Sequence, residues 1–489
     1  MVLSSSLLRE AAPEAGVVVS PSSLDEIVQL KGVVSGEDAA RLDLQKIECE
    51  ISIDSRTTKP GNIFVALCGE CHNGHHFVKE ALSYGAVGAI IAGSEASVLD
   101  ISSPGVLQNK IIVVVPETGL ACVDLARAWR ETFGYPIVGM TGSVGKTTTK
   151  EMIKYIFARA ELPSCVSNAN QNTPLGASIN LSRLNSTHRC GVFELGISHK
   201  GDMDELVDLV RPTVAVLTCV TNAHNEWLGS LQEIVHEKSK VFRHVPSDGA
   251  RIINGDQPEL KNLKTKNTIT FGFSKGCDVT ATEIKKCVDE NNEPVTTGVF
   301  RVHGNYVPLK LRGHHDGVLL NSLAAAATAN YLGCSNNDIV AGLWDFKTVQ
   351  GRGAVKKIAD GLGFVIDDCY NAHALSVCAA LRSLDSIPGK RKIAVLGDLY
   401  EQGYRTYEAH HEVAQCLGST KSISHVIILG DAMTEAARKF SCGTKIFSVA
   451  SWQEALQRTK ALLVSDSRVL LKASGRLGLT NIVNALIEK

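Results

Sequence analysis

The sequence predicts an α/β protein of three domains, and three observations carry that prediction. Short apolar runs alternate with amphipathic helical stretches through most of the chain. At 489 residues the chain exceeds what one ordinary hydrophobic core accommodates. Its character also changes twice, at 134–136 (GYP) and near 351–353 (GRG), where glycine and proline interrupt the pattern. These breaks give a smaller N-terminal α/β domain over 1–134, a central doubly wound domain over 135–346 and a C-terminal α/β domain over 347–489.

In the first domain IECEISI, NIFVAL, VGAIIAG and IIVVV read as strands, FVKEALSYG as a helix, and LACVDLARAWRETF as a closing helix. Between them lies Cys68-Gly-Glu-Cys71-His72, followed by His75 and His76. A C-x-x-C-H spacing is that of covalent haem attachment, and crowded cysteine and histidine also suit zinc. Haem attachment of that kind needs an exported chain, and the start MVLSSSLLREAAPEAG has no basic region before its apolar patch. Asn73-Gly74 is a turn signal. The segment therefore reads as a polar loop without haem or metal. The fourteen cysteines, in a chain without an export signal, are expected as free thiols.

The central domain opens with a strand at 135–138 (YPIV), and 139–150 then reads GMTGSVGKTTTK. The following EMIKYIFARA has helical spacing, so the order is strand, turn, helix. Glycines let such a turn aim N–H groups inward, the helix start adds partial positive charge, and Lys146 adds a full one. Thr141, Gly142, Ser143, Gly145, Lys146, Thr147 and Thr148 thus form a phosphate cradle, with Met140 where the G-x-x-x-x-G-K-S/T motif has its first glycine. GVFEL at 191–195 and VAVLTCV at 214–220 are buried-type strands. Ligands of parallel sheets bind at strand carboxyl ends, where Glu194 and His224 stand. Glu194 and the Thr147 hydroxyl are hard oxygen ligands suited to magnesium, and His224 is a softer one. TITFGF, DVTATEI and TTGVFRVHGNYVPLKL read as an antiparallel flap, and NSLAAAATANYLG as a helix ending at Gly333.

In the third domain GFVIDDCY, KIAVLGDLY, HVIILGD, KIFSV and SRVLLKAS are five strand candidates separated by helices, a parallel sheet of Rossmann type. The 50 basic and 51 acidic residues nearly balance, so neither nucleic acid nor a membrane surface is an expected partner. No apolar stretch approaches a bilayer-spanning length. A soluble, cytoplasmic monomer is expected. The N-terminal serines would suit an organelle-targeting segment, but Glu10 and Glu14 speak against one.

TGSVGKTTTKEMI, FELGIS and the stretch from GDMDELVDLVRPTVAVLTCV to TNAHNEWLGSLQEIVHEKSKVF resemble the central domain of the Mur ligases. The first domain, through IDSRTTKPGNIFVALCGECHNGHHFVKEALSYGAVGAII, and the third, through GRGAV, IDDCYNAH and GDLYEQG, are similar to that family too. Those enzymes add amino acids to a UDP-linked muramic acid precursor. ELG, AH-x-E-x-x-G-S and D-x-Y-N-A are most similar to the members that join D-alanyl-D-alanine to UDP-MurNAc-tripeptide. The resemblance implies ATP cleavage to ADP and phosphate, an acyl phosphate on a substrate carboxylate, and attack on it by an amine. This is peptidoglycan precursor synthesis, on which cell-wall biogenesis, cell shape and division depend. It also implies two magnesium ions held by Thr147, Glu194, His224 and a carbamylated Lys238, with Lys146, His224 and Lys238 as the catalytic set. Without the resemblance Lys238 would read as a solvated lysine on a helix.

By the same resemblance Asn321 lies near adenine, Arg352 and Asp368 contact phosphate or ribose, and Ser55 and Arg56 take the uridine nucleotide. Asn371 and Lys472 belong to the amine-substrate end. The chain departs from the family in four places. GHHDGVLLN lengthens H-N-x-x-N, and NQNT (170–173) replaces N-x-N-N. His373 and Ala374 replace an Asn-Pro, and Arg476 is displaced by one position from K-G-S-R. His373 reads as a surface residue, although an imidazole there could take a proton from the attacking amine. Two other readings accompany the leading one: a related ATP-dependent amide ligase, such as another Mur ligase or a folylpolyglutamate-synthase-like enzyme, and a non-catalytic binding protein.

Overall fold

Strands form in this chain where β-branched and aliphatic residues run together between turn residues. Near the N-terminus Gly16–Val19, Ile111–Val115, Gly88–Ala92, Asn62–Val65 and Glu50–Ser52 make one sheet in that order. It is parallel except for the edge strand Gly16–Val19. Gly88–Ala92 and Ile111–Val115 are buried along their whole length, as strands covered on both faces must be. Ile63, Ile90 and Val113 pack with Leu125 of the helix Thr118–Glu131, while Phe64, Ala89 and Ile91 pack with Ala81 of the helix Val78–Ser83. A Cβ on Gly88 would lie 2.1 Å from the Ile111 carbonyl oxygen, so this pairing requires glycine.

The computed structural model describes residues 1–12, 14–19, 47–99, 107, 109–168, 171–221, 225–290, 293–439 and 444–487. The chain forms two compact units: Met1–Gly139 with Pro163–Gly196 and Met203–Thr213, and Met140–Leu162 with Ile197–Asp202 and Val214–Lys489. Each expected domain break therefore falls inside a unit. In the first unit the strands Ser164–Val166 and Cys190–Glu194 pair in parallel. Arg130, near the end of Thr118–Glu131, is buried and donates to the carbonyls of Phe133 (2.9 Å), Val210 (2.9 Å) and Arg211 (3.0 Å). The Trp129 indole donates to Leu184 O at 3.0 Å, and Ile51 N donates to Ser182 Oγ at 2.9 Å.

In the second unit six strands run in the order Asn305–Arg312, Pro294–Val302, Val279–Val288, Thr268–Phe271, Ala250–Asn254 and Val214–Leu217. The first three form the antiparallel flap. Thr268–Phe271 instead pairs in parallel with Ala250–Asn254, so TITFGF belongs to the parallel part and not to the flap. The helix Asp316–Tyr331 buries its alanine run and ends before Gly333, whose φ is +87°. The C-terminal sheet runs Ala354–Lys357, Gly363–Asp367, Ser467–Lys472, Arg391–Gly397, His425–Leu429, Lys445–Val449. All five expected strands are parallel. The sixth, Ala354–Lys357, is antiparallel and escapes a reading by periodicity because half of it is lysine.

Candidate active site

The strand Ile137–Thr141 delivers the chain into the glycine-rich turn, and the helix Lys146–Arg159 leaves it. Met140 is fully buried inside that strand, where a side chain packs and a loop glycine would contribute nothing. Gly142 has φ +152°, and a Cβ there would stand 2.0 Å from Thr218 Oγ1. Thr218 holds the turn by donating to Val144 O at 2.7 Å. Ser143 N donates to Cys219 O (2.6 Å), and Thr221 N donates to Ser143 Oγ (3.0 Å). Gly145 caps the helix in the left-handed region at φ +91°, and a Cβ there would meet Asn321 Oδ1 at 2.3 Å. Asn321 thus stands against the turn, despite the lengthened GHHDGVLLN. Lys146 Nζ donates to Gly142 O at 2.7 Å, across the mouth of the loop. Thr147 and Thr148 are buried, and the buried Thr141 Oγ1 has no hydrogen-bond partner.

These groups fit the phosphates of a nucleotide. The helix start adds partial positive charge, two glycines keep the floor low, and the Lys146 ammonium stands at its mouth. Lys238 lies at the end of the helix Leu231–Ser239 and is 1% exposed. Burial, and then the charge of Lys146, push its amine well below the ordinary lysine range, against an opposing effect of Glu237. The Glu237 carboxylate binds Lys240 Nζ (2.6 Å) and Gly201 N (2.9 Å). A plain solvated lysine is therefore excluded, and burial disfavours its ammonium form.

Glu194 ends its strand in the first unit, 3% exposed; Asn172 Nδ2 donates to its Oε1 at 3.1 Å and Ser167 Oγ accepts from its N–H at 3.1 Å. His224 lies outside the described residues. Ser55 Oγ donates to Glu80 Oε2 at 2.7 Å, while the exposed Arg56 forks onto Asp54 at 2.9 and 2.7 Å. In the C-terminal part Asp368 and Lys472, both buried, pair at 2.6 Å, and Lys472 Nζ also donates to Asn371 O at 3.2 Å. Lys472 is thus already neutralised within the protein. The Arg352 guanidinium lies 4.1 Å from the centre of the Tyr370 ring, a stacked cation. His373 is 7% exposed, which corrects the expectation of a surface histidine: it precedes Ala374–Ser386 and packs with that helix start.

Two residues of this region have no motif to announce them. His315 caps the helix carrying Asn321 by accepting from Gly317 N at 3.0 Å, and its imidazole is held low by burial, partly offset by Asp368. Gln257 clamps Val220 through both backbone groups, at 2.8 and 2.7 Å. Only the histidine run in GHHD could have drawn attention to the first.

Residues 140–329 match the Mur ligase middle domain, and 351–475 match the Mur ligase glutamate ligase domain. A UDP-N-acetylmuramoyl-tripeptide–D-alanyl-D-alanine ligase of Synechocystis is 31% identical over 445 residues, 90% of this chain and 92% of its own. The chain belongs to the Mur ligase family. Solved structures agree. A MurF from Acinetobacter baumannii matches with a TM-score of 0.79 at 27% identity, covering 100% of this chain and 99% of its own. MurF ligase from Thermotoga maritima, in complex with ADP, matches at 0.75 and 26%, covering 90% and 97%. This Mur ligase is accordingly an ATP-dependent enzyme that forms a carbon–nitrogen bond. Among the described residues no helix is long and apolar enough to cross a membrane.

Proposed function

We propose that this Mur ligase joins D-alanyl-D-alanine to UDP-MurNAc-tripeptide. The observation that carries the reading is the end-to-end similarity to ligases named for that reaction, together with the retained phosphate loop. A carboxylate is a poor electrophile, and transfer of the ATP γ-phosphoryl group gives it a leaving group. The dipeptide amine then displaces phosphate, leaving an amide, ADP and phosphate. The enzyme's task is positioning and charge stabilisation. Lys146 balances charge on the transferring phosphoryl group, the turn's N–H groups hold the neighbouring phosphates, and Asn321 orients the base. Arg352, on Tyr370, and Asp368 hold the phosphate and ribose side.

Magnesium, when bound, would neutralise phosphate charge. Thr147, Glu194, His224 and Lys238 are the residues proposed to hold it. Burial that disfavours the Lys238 ammonium favours carbamylation, which would turn the amine into an anionic oxygen ligand. Ser55 and Arg56 are proposed to meet the uridine nucleotide, and Asn371 and Lys472 to shape the dipeptide end. We further propose three functional domains, 1–134, 135–346 and 347–489, in a monomeric cytoplasmic enzyme without nucleic-acid or membrane partners.

The test is amide formation from UDP-MurNAc-tripeptide and ATP, with D-alanyl-D-alanine compared against single amino acids and glutamate. Preference for a single amino acid would move the chain to a neighbouring Mur activity and leave the ATP chemistry in place. No product with any amine would overturn the catalytic reading.

A further inference from the structure

Two cysteines outside the proposed site face each other across a helix pair. Cys378 sits on Ala374–Ser386, and Cys416 on Thr406–Gly418. Their contacts are reciprocal. Cys416 Sγ donates to the Cys378 carbonyl at 3.7 Å, and Cys378 Sγ donates to the Glu412 carbonyl at 3.8 Å, one helical turn before Cys416. Each thiol therefore reaches the other helix beside the opposing cysteine. Both are 7–8% exposed, while the exposed Arg382 stands one turn beyond Cys378 and its charge bears on Cys416.

We propose that Cys378 and Cys416 form a site of reversible covalent modification, closing to a disulfide by exchange with a small-molecule disulfide. The chemistry is favoured at Cys416. The neighbouring Cys378 thiol and then the Arg382 guanidinium lower its pKa, whereas Cys378 is raised. Cys416 loses its proton to solvent, its thiolate attacks one sulfur of the small disulfide, whose S–S bond breaks, and the departing thiolate is protonated by solvent. Cys378 then loses its proton to solvent and attacks the Cys416 sulfur of the mixed disulfide. The second small thiolate departs and is protonated. The protein dithiol is oxidised by two electrons, and one small disulfide is reduced to two thiols.

The product staples two helices that each follow a loop of the C-terminal domain. Ala374–Ser386 begins just after Asp368, Asn371 and His373, and Thr406–Gly418 follows the turn Gly403–Arg405. Oxidation therefore fixes one helix against the other.

The experiment treats the full-length protein with bis(2-hydroxyethyl) disulfide and maps its peptides by mass spectrometry. A cross-linked peptide holding Cys378 and Cys416 is expected, with a rise in melting temperature of roughly 5 °C that dithiothreitol reverses. Cys378→Ser and Cys416→Ser should each abolish link and rise. The double variant Cys68→Ser/Cys71→Ser, which removes the exposed thiol pair of the N-terminal loop, should keep both. Full alkylation of Cys378 and Cys416 after treatment would overturn the proposal. So would a link confined to Cys68 and Cys71.

Discussion

The phosphate loop and the loop at 68–76 both announce themselves in the sequence by residue types that bind ligands, and they end differently. In the phosphate loop the glycines at 142 and 145 hold the backbone where a side chain would collide, and the turn leads directly into the positive end of the helix Lys146–Arg159. In the other loop the donors are consumed internally. Cys68, His75 and Glu95 do converge, with ligand atoms within 4.8 Å of one another. Yet His75 Nε2 accepts from Ala92 N at 2.9 Å, so the neutral ring carries its proton on Nδ1 and donates to Asn73 Oδ1 at 2.8 Å. Asn73 Nδ2 in turn donates to Glu95 Oε2 at 2.7 Å. The nitrogen nearest Cys68 is a donor with its partner in place, which suits a structural network and not a metal. A motif marks a binding site when its backbone is shaped to admit a ligand, and not when ligating residue types merely cluster.

That contrast can be broken by substitution. The largest effect belongs to Lys146→Ala, which removes a charge aimed at the transferring phosphoryl group and should lower turnover by roughly a thousandfold. The melting temperature should hold, because no core packing is lost. Turnover within tenfold of the parent would show that the open loop is not where phosphate is handled.

Lys238→Met should follow, with turnover down by about a hundredfold, the loss typical of disturbing a metal's supporting shell. Its stability should be equal or higher, since a buried amine is replaced by a side chain that needs no solvation. A marked drop in melting temperature with activity retained would make Lys238 a structural residue.

Gly145→Ala introduces a Cβ at φ +91° and against Asn321, so it should cost about 1–2 kcal/mol locally and weaken ATP binding on the order of tenfold. Calorimetric titration with ADP would measure it, and parental affinity would mean the turn tolerates what its geometry forbids.

His75→Ala should be smallest in activity, with kcat within about twofold, yet lower stability by about 1–3 kcal/mol by leaving buried partners unsatisfied. Burial holds the folded-state pKa of His75 below its ordinary value of 6.5. The unfolded chain therefore binds more protons below that pH, and stability falls as pH drops through the window beneath about 6.5. Urea midpoints from neutral to acidic pH should decline more steeply in the parent than in the variant. Parallel declines would remove His75 from the account.

Much of the fold was legible because strands and helices in α/β proteins are written in local periodicity. All five C-terminal strands and the alanine-rich helix stand where their apolar runs lie. Ala354–Lys357 and the parallel placement of Thr268–Phe271 were not legible, because pairing partners far along the chain decide them. The phosphate loop was legible from spacing alone. Lys238 was not: its burial follows from what packs around the end of Leu231–Ser239, and only resemblance singled it out. The Lys472–Asp368 pair likewise arises from two strands distant in sequence.

Arg130 has a consequence for how such a chain can be cut and recombined. Its guanidinium is served by carbonyls at 133, 210 and 211, while Trp129 and Ile51 rely on acceptors at 184 and 182. A fragment stopped at residue 134 would keep the donors and lose all these acceptors except Phe133 O. Grafting the first 134 residues onto another ligase would therefore also require transplanting the stretches around 182–184 and 210–211. The portable piece of this protein is discontinuous, and a crossover between relatives is tolerated only where both halves of that arrangement travel together.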